Sequence, residues 1–402
     1  MKRTVSVGLS MFLGQLMIFV ATPILSRIYT PEQFGLFAIF MSVVALVTSV
    51  IGLRYESLIH IVKDQEVINV ILLAFFSMLV MMLLVIMVIW LGIPQLFFPP
   101  INNLGKHIWA IPISVAAGFM LILVNFITLR KNNFTANFIL RTLQPMFYII
   151  LAIFLYRGDL VLAQAFSLVV AAFCGVLYVS RDFGGFNLRS IVALAIRFKK
   201  YPTILTFTTL LDAAALSLPI FFISFTYGHE VTGNFSQLQR LAGAPILLAS
   251  AALGQIFFKY SGEHFRAGET SKLLMWKIVK FLALTALILL ILLIFIGEPL
   301  LALFLGENWR VDTVFLLLVT IPLYAKTVVS PITTIFLTHH RLNLVIKWQS
   351  YYFLSTLTVL YLTTKFLKLE IFLLIFCVHE IFWYSIYLYL ANQIFAQSKS
   401  ES

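Results

Sequence analysis

Charge is scarce in this sequence. Of 402 residues only 11% are Asp, Glu, Lys or Arg, under half the share of an ordinary soluble domain, and 61% are hydrophobic. With a mean hydropathy of +1.01, that balance excludes a water-soluble enzyme and places the chain in a bilayer. Cysteine is nearly absent: Cys174 and Cys377 both sit inside apolar runs, without the close spacing or the partner histidines of a metal site. No Walker loop occurs, so this chain does not hydrolyse ATP, and there is neither a zinc signature nor a G-x-S-x-G elbow. Long polar segments are lacking too. The longest outer loop runs from about Gly92 to Lys106, too little chain for the water-exposed platform of a membrane glycosyl polymerase or ligase.

What is abundant is uninterrupted apolar sequence. ILLAFFSMLVMMLLVIMVIW has none of the apolar–polar alternation of an outer-membrane barrel strand, so the chain reads as helical. At ~20 residues per span there is room for about a dozen helices. Apolar runs between polar breaks place them at about residues 4–28, 34–53, 67–91, 107–129, 137–156, 160–180, 202–226, 233–258, 273–296, 311–337, 346–364 and 370–391. The first run follows Lys2 and Arg3. It lasts ~25 residues and lacks an A-x-A-like cleavage site, so it reads as a retained span rather than a signal peptide. Basic residues stay in the cytoplasm. With the N-terminus inside, most of the 28 Lys and Arg residues fall on inner segments, Arg130, Lys131 and Arg141 among them. The expectation is an all-α polytopic membrane protein of twelve transmembrane helices with both termini cytoplasmic.

Its longest inner segment, Arg181 to Tyr201, divides the chain nearly in half. Ile191, Leu194, Ala195 and Phe198 recur there at helical spacing beside Arg189, Arg197, Lys199 and Lys200, a pattern suited to the inner membrane surface. The halves look alike. YTPEQFGLF (Tyr29 to Phe37) and YGHEVTGNF (Tyr227 to Phe235) share Tyr, Glu, Gly and Phe at a constant offset, each after a span containing proline, Pro23 or Pro219. Six spans lie between them, so the repeat is parallel rather than inverted. The expected organisation is an N-terminal six-helix lobe (1–180), a cytoplasmic amphipathic linker (181–201) and a C-terminal six-helix lobe (202–402).

Ionisable side chains inside a span cost ~2.5 to 3.5 kcal/mol on insertion scales, so each marks a partner or water. Asp212, Arg240, Lys326 and Glu380 all fall within second-half spans. One reading pairs them as structural ion pairs. The other gives the cations to an anionic substrate and a carboxylate to a coupling ion, either Asp212, paired with Arg240 in one state and protonated in another, or Glu380, beside Lys326 and His379. Arg27 and Arg54 are the strong cations of the first half, and Gln15, Asn125, Gln144, Gln164 and Gln255 add polar lining. Four cations against two carboxylates suit an anion better than a cationic drug.

PILSRIYTPEQFGLFAIF, followed by IGLRYESLIHIVKDQE, resembles the opening of bacterial polysaccharide-biosynthesis flippases. These are the Wzx-type members of the multidrug, oligosaccharidyl-lipid and polysaccharide exporter superfamily. The resemblance implies a pair of six-helix lobes in the inner membrane that move undecaprenyl-pyrophosphate-linked oligosaccharides, such as O-antigen or capsule repeat units, toward the periplasm. It implies coupling to H+ or Na+ with no other cofactor. The partners implied are the lipid-linked oligosaccharide, membrane lipids and polysaccharide polymerase machinery, with no nucleic acid. Arg27, Arg54, Arg240 and Lys326 are then the expected cationic cavity, Asp212 and Glu380 the ion-coupling candidates. A multidrug exporter of the same fold is the alternative, ahead of the polymerase or ligase.

Overall fold

In a computed structural model, residues 2–97, 99–180, 188–199, 201–266, 269–309, 311–339 and 341–398 are described, and no strand occurs among them. Residues 181–187 and 200, part of the expected linker, lie outside the described residues. The helices are α1 (Lys2–Ile28), α2 (Pro31–Val50), α3 (Val67–Trp90), α4 (Ile93–Phe97), α5 (Ala110–Arg130), α6 (Phe134–Ile150), α7 (Leu160–Ser180), α8 (Leu188–Arg197), α9 (Thr206–Arg266), α10 (Lys272–Leu305), α11 (Thr313–Val329), α12 (Ile335–Thr338), α13 (Leu342–Phe366) and α14 (Leu369–Ser398). Among the described residues nine helical stretches are long and apolar enough to cross a bilayer. One of them, Pro202–His264, makes two crossings, because Gly228 breaks α9 with φ 89° and ψ 175°. With α1 and α13 the long helices supply the twelve expected spans. Leu83, Trp90, Phe173 and Phe295 are each more than 60% exposed, a surface suited to hydrocarbon rather than water.

Local chemistry explains the boundaries. TPEQ is a helix start: Thr30 Oγ1 accepts from the Gln33 backbone N–H at 3.3 Å, and Gln33 Oε1 accepts from the Thr30 N–H at 2.9 Å. Pro31 fills the first turn, where no N–H is needed. Just before it, the Tyr29 hydroxyl donates to the carbonyls of Ala152 and Tyr156 at 2.7 and 2.8 Å, fastening the α1–α2 turn to the segment that follows α6.

The chain divides into two compact units, Met1–Gly233 and Asn234–Ser402. In the first, α5 packs on α2, α6 and α7, and α6 on α1; in the second, α11 packs on α10 and α14, and α13 on α14. α8 lies against α3, burying Ile191 and Leu194, with Asn69 Nδ2 donating to Ser190 Oγ at 3.2 Å and Arg197 meeting Glu66 at 3.3 Å. Its opposite face leaves Val192 and Ile196 exposed. The expected amphipathic helix is thus docked on protein along one side.

The internal repeat has a physical counterpart in the first unit. A Cβ on Gly35 would lie 1.9 Å from the carbonyl oxygen of His229, and one on Gly233 would lie 1.9 Å from the carbonyl oxygen of Pro31. The same offset that relates Tyr29 to Tyr227 relates Gly35 to Gly233 and Pro31 to His229. Each repeat therefore places its glycine on the other's backbone, where no side chain fits.

Candidate functional site

The expected site residues fall in both units. Arg27 is exposed in the last turn of α1, and Asp212 is exposed in the first segment of α9. Arg240 and Lys326 are half-buried, on α9 and α11 of the second unit.

Arg54 has a neighbour that sequence reasoning passed over. Leu53 and Arg54 both adopt left-handed backbone, φ 50° and 60°, and end α2 in a 3-10 turn over Tyr55–His60. That reversal sets Arg54 Nη1 3.4 Å from Glu56 Oε1, with the Glu56 side chain only 4% exposed and its Oε2 without a partner. Arg130 holds the turn from α5, donating to the carbonyls of Ile59 and Val62 and to Asp64 Oδ1. A Cβ on Gly52 would lie 2.7 Å from Glu56 Oε2 and closer still to Phe119, so the carboxylate is packed in.

Burial raises the Glu56 carboxyl above its ordinary range, against the opposing pull of its backbone hydrogen bond and of Arg54. The folded protein then holds this proton more tightly than the unfolded chain does. Its contribution is complete below the unfolded value near pH 4 and declines as pH rises toward the folded one. From about pH 5 to about pH 8, the thermal midpoint of Glu56→Gln in detergent should therefore fall less than that of the wild type. Equal slopes would mean that Glu56 titrates as it does unfolded.

Glu380, on α14, is buried. The Tyr352 hydroxyl of α13 lies 3.0 and 2.9 Å from its two oxygens, and His379 Nδ1 lies 3.2 Å from Oε1. A phenol and an imidazole thus meet the carboxylate where a lysine was expected.

The polar lining condenses between α5, α6 and α7. Asn125 Oδ1 accepts from Arg141 Nε at 3.0 Å and from Asn137 Nδ2, which also reaches Thr128 Oγ1 at 2.9 Å. Gln144 extends the seam to Gln164 and Ser167 at 3.3 and 3.2 Å. Gln15 and Gln255 are exposed. Asn125, Thr128, Asn137, Arg141 and Gln144 line a cavity of about 230 Å³ whose wall contains no acidic side chain. Asn137 Oδ1 is buried and unpartnered. The Arg141 Nη1 and Nη2 groups have no hydrogen-bond acceptor among the described residues, while Asn125 fixes the plane of the guanidinium through Nε. An oriented cation with open donors facing neutral amides is suited to a bidentate anion. By sequence Arg141 groups with the cytoplasmic loop charges, because it lies only about two turns from the end of its span. At 1.5 Å per residue that is still roughly 10 Å inside the helix.

The model of the polysaccharide biosynthesis protein family matches residues 1–258, more than half of the chain. The chain belongs to the polysaccharide biosynthesis protein family. No curated protein matches it. Among solved structures, an inward-facing multidrug resistance MATE family transporter of the MOP superfamily is similar at TM-score 0.64 and 15% identity, covering 98% of this chain and 99% of that one. A point mutant of the Vibrio cholerae MATE transporter VcmN is similar at TM-score 0.62 and 14% identity, over 99% and 97% of the two chains. A MOP superfamily transporter from Pyrococcus furiosus, described as having reverse polarity of its binding pocket, is similar at TM-score 0.54 and 16% identity, over 99% and 96%. This polysaccharide biosynthesis protein is therefore a multi-pass membrane protein with the MOP transporter fold.

Proposed function

We propose that the chain is a flippase that moves undecaprenyl-pyrophosphate-linked oligosaccharide repeat units across the bacterial inner membrane by cation-coupled alternating access, with both termini cytoplasmic. The observation that carries this reading is the Arg141 cavity: an acid-free pocket inside the spans of a polysaccharide biosynthesis protein, in which one arginine and four neutral polar side chains are set among aliphatic ones. A pyrophosphate carries at least two negative charges. Out of bulk water, few arginines and lysines are needed to hold it. Arg27, Arg54, Arg240 and Lys326 remain the further cations proposed to meet it, and Asp212 and Glu380 the carboxylates proposed for coupling.

The multidrug names of the similar structures favour a second reading, export of lipophilic cations. Deleting the gene separates the two. On the flippase reading surface polysaccharide disappears, and wild type restores it whereas Arg240→Ala and Lys326→Ala, inserted at normal levels, do not. Intact polysaccharide with altered resistance to lipophilic cations would replace this reading with the other.

A further inference from the structure

The buried cluster between α13 and α14 holds more than a paired carboxylate. His379 Nδ1 faces Glu380 Oε1 at 3.2 Å, its Nε2 lies 2.9 Å from Ser355 Oγ, and Ser355 Oγ lies 3.0 Å from the carbonyl of Tyr352. Tyr352 returns to both Glu380 oxygens through its hydroxyl. The side chains of His379 and Glu380 are 8% and 6% exposed. We propose that Tyr352, Ser355, His379 and Glu380 form a proton-binding site, loaded as an imidazolium–carboxylate pair, and that the coupling ion handled by the second unit is H+ and not Na+.

The hydrogens of the cluster balance in two states. In the unloaded site the imidazole is neutral, its Nδ1–H donates to Glu380, and its Nε2 accepts the hydroxyl hydrogen of Ser355. When a proton arrives at Nε2, that N–H donates to Ser355 Oγ, and the serine hydrogen swings to the Tyr352 carbonyl. Every polar atom keeps a partner in both states, so no buried group is left unsatisfied by loading. The net charge of the cluster changes from −1 to zero, the direction a low-dielectric interior favours.

Sodium is a poor fit. A hard cation is held by a shell of oxygen acceptors, whereas both oxygens of Glu380 are already met by O–H and N–H donors, whose positive ends repel a cation. Among the described residues no group of three or more His, Cys, Asp and Glu is placed to hold a metal ion. The surrounding titratable groups do not compete for the role. On α13, Tyr351, Tyr361, Lys347 and Lys365 are exposed; on α14, Cys377, Tyr384 and Tyr387 are buried, and Tyr384 hydrogen-bonds to Tyr352; α12 has none. α11 brings Tyr324, which is buried, and Lys326, which is half-buried. Glu380 and Tyr352 are buried while His379 and Ser355 are half-buried, so proton exchange at His379 depends on how closely α13 and α14 pack, which is the property a coupling site needs.

The binding can be tested without any substrate, and the flippase reading enters only in what the proton drives. Trp348 stacks on Tyr352 with centroids 4.9 Å apart, and Trp383 neighbours His379, so an imidazolium there quenches tryptophan emission. Purified full-length protein in nanodiscs is titrated with pH, in sodium buffer and with sodium replaced by choline. The expected result is a quenching step at the same pH in both buffers, absent from His379→Gln, Glu380→Gln and the double Trp348→Phe/Trp383→Phe variant. A wild type with no step, or a step kept by both His379→Gln and Glu380→Gln, overturns the site. A step displaced by sodium overturns the choice of ion. If the step is present but deletion of the gene leaves surface polysaccharide intact, the flippase reading fails and the proton site stands.

Discussion

On the flippase reading, Gly233→Ala is expected to abolish polysaccharide export and, whatever the cargo, to lower the thermal midpoint by several degrees, with Gly35→Ala giving the same result. An alanine Cβ at Gly233 would sit 1.9 Å from the Pro31 carbonyl oxygen and 3.1 Å from the Gly35 backbone nitrogen. Real Cβ atoms essentially never approach below 3.0 Å, and here the neighbours are backbone rather than the end of a flexible side chain. The two segments must separate by about an ångström. Overpacking by a single methyl costs about 1–3 kcal/mol where side chains can yield, and more where they cannot. Gly262→Ala is the matching control, because a Cβ there meets nothing within 4 Å and alanine suits a helix by up to about 1 kcal/mol. That variant should export normally and melt no lower than wild type. Normal export by Gly233→Ala and Gly35→Ala would show that the close crossing of the two repeats is dispensable.

These glycines show what could be read in the sequence and what could not. The match of Tyr, Glu, Gly and Phe between the two repeats was legible as a parallel repeat, because periodic apolar runs give the span count and the offset gives the direction. That the matched glycines rest on each other's backbone was not, since contact across a repeat leaves no mark on composition. Arg54 illustrates a second limit. Periodicity treats LRYES as the end of a helix, where residues two apart diverge, and two consecutive left-handed residues without glycine bring Arg54 onto Glu56 instead. Glu380 was legible as an ionisable residue in a span, but its partners Tyr352 and Ser355 come from α13 by packing alone. Arg141 was obscured by a rule that works well elsewhere: cations near a cytoplasmic end report topology, and one helix turn more or less decides whether they also line a cavity.

Arg141→Leu is expected to raise the thermal midpoint while reducing export to the level of the deletion, and the opposite signs are what make it decisive. An arginine inside a span with open Nη groups carries an uncompensated cost of ~2.5–3.5 kcal/mol on insertion scales. Leucine removes that cost, and Asn125 keeps Asn137 as a donor in its absence. A structural arginine behaves otherwise, since removing it leaves buried acceptors unpaired and lowers stability. Each charge-assisted hydrogen bond to a bound anion is worth about 1.5–3 kcal/mol. Losing two therefore costs at least about a hundredfold in affinity. Arg141→Lys keeps the charge but neither the fork nor the Nε bond to Asn125, so it should fall between Leu and wild type. Asn125→Ala leaves the guanidinium in place and removes the bond that orients it, for a smaller loss of about tenfold. Export by Arg141→Leu at the wild-type rate would remove the anion from this cavity, and a lowered midpoint would make Arg141 part of the framework that joins α5 to α6.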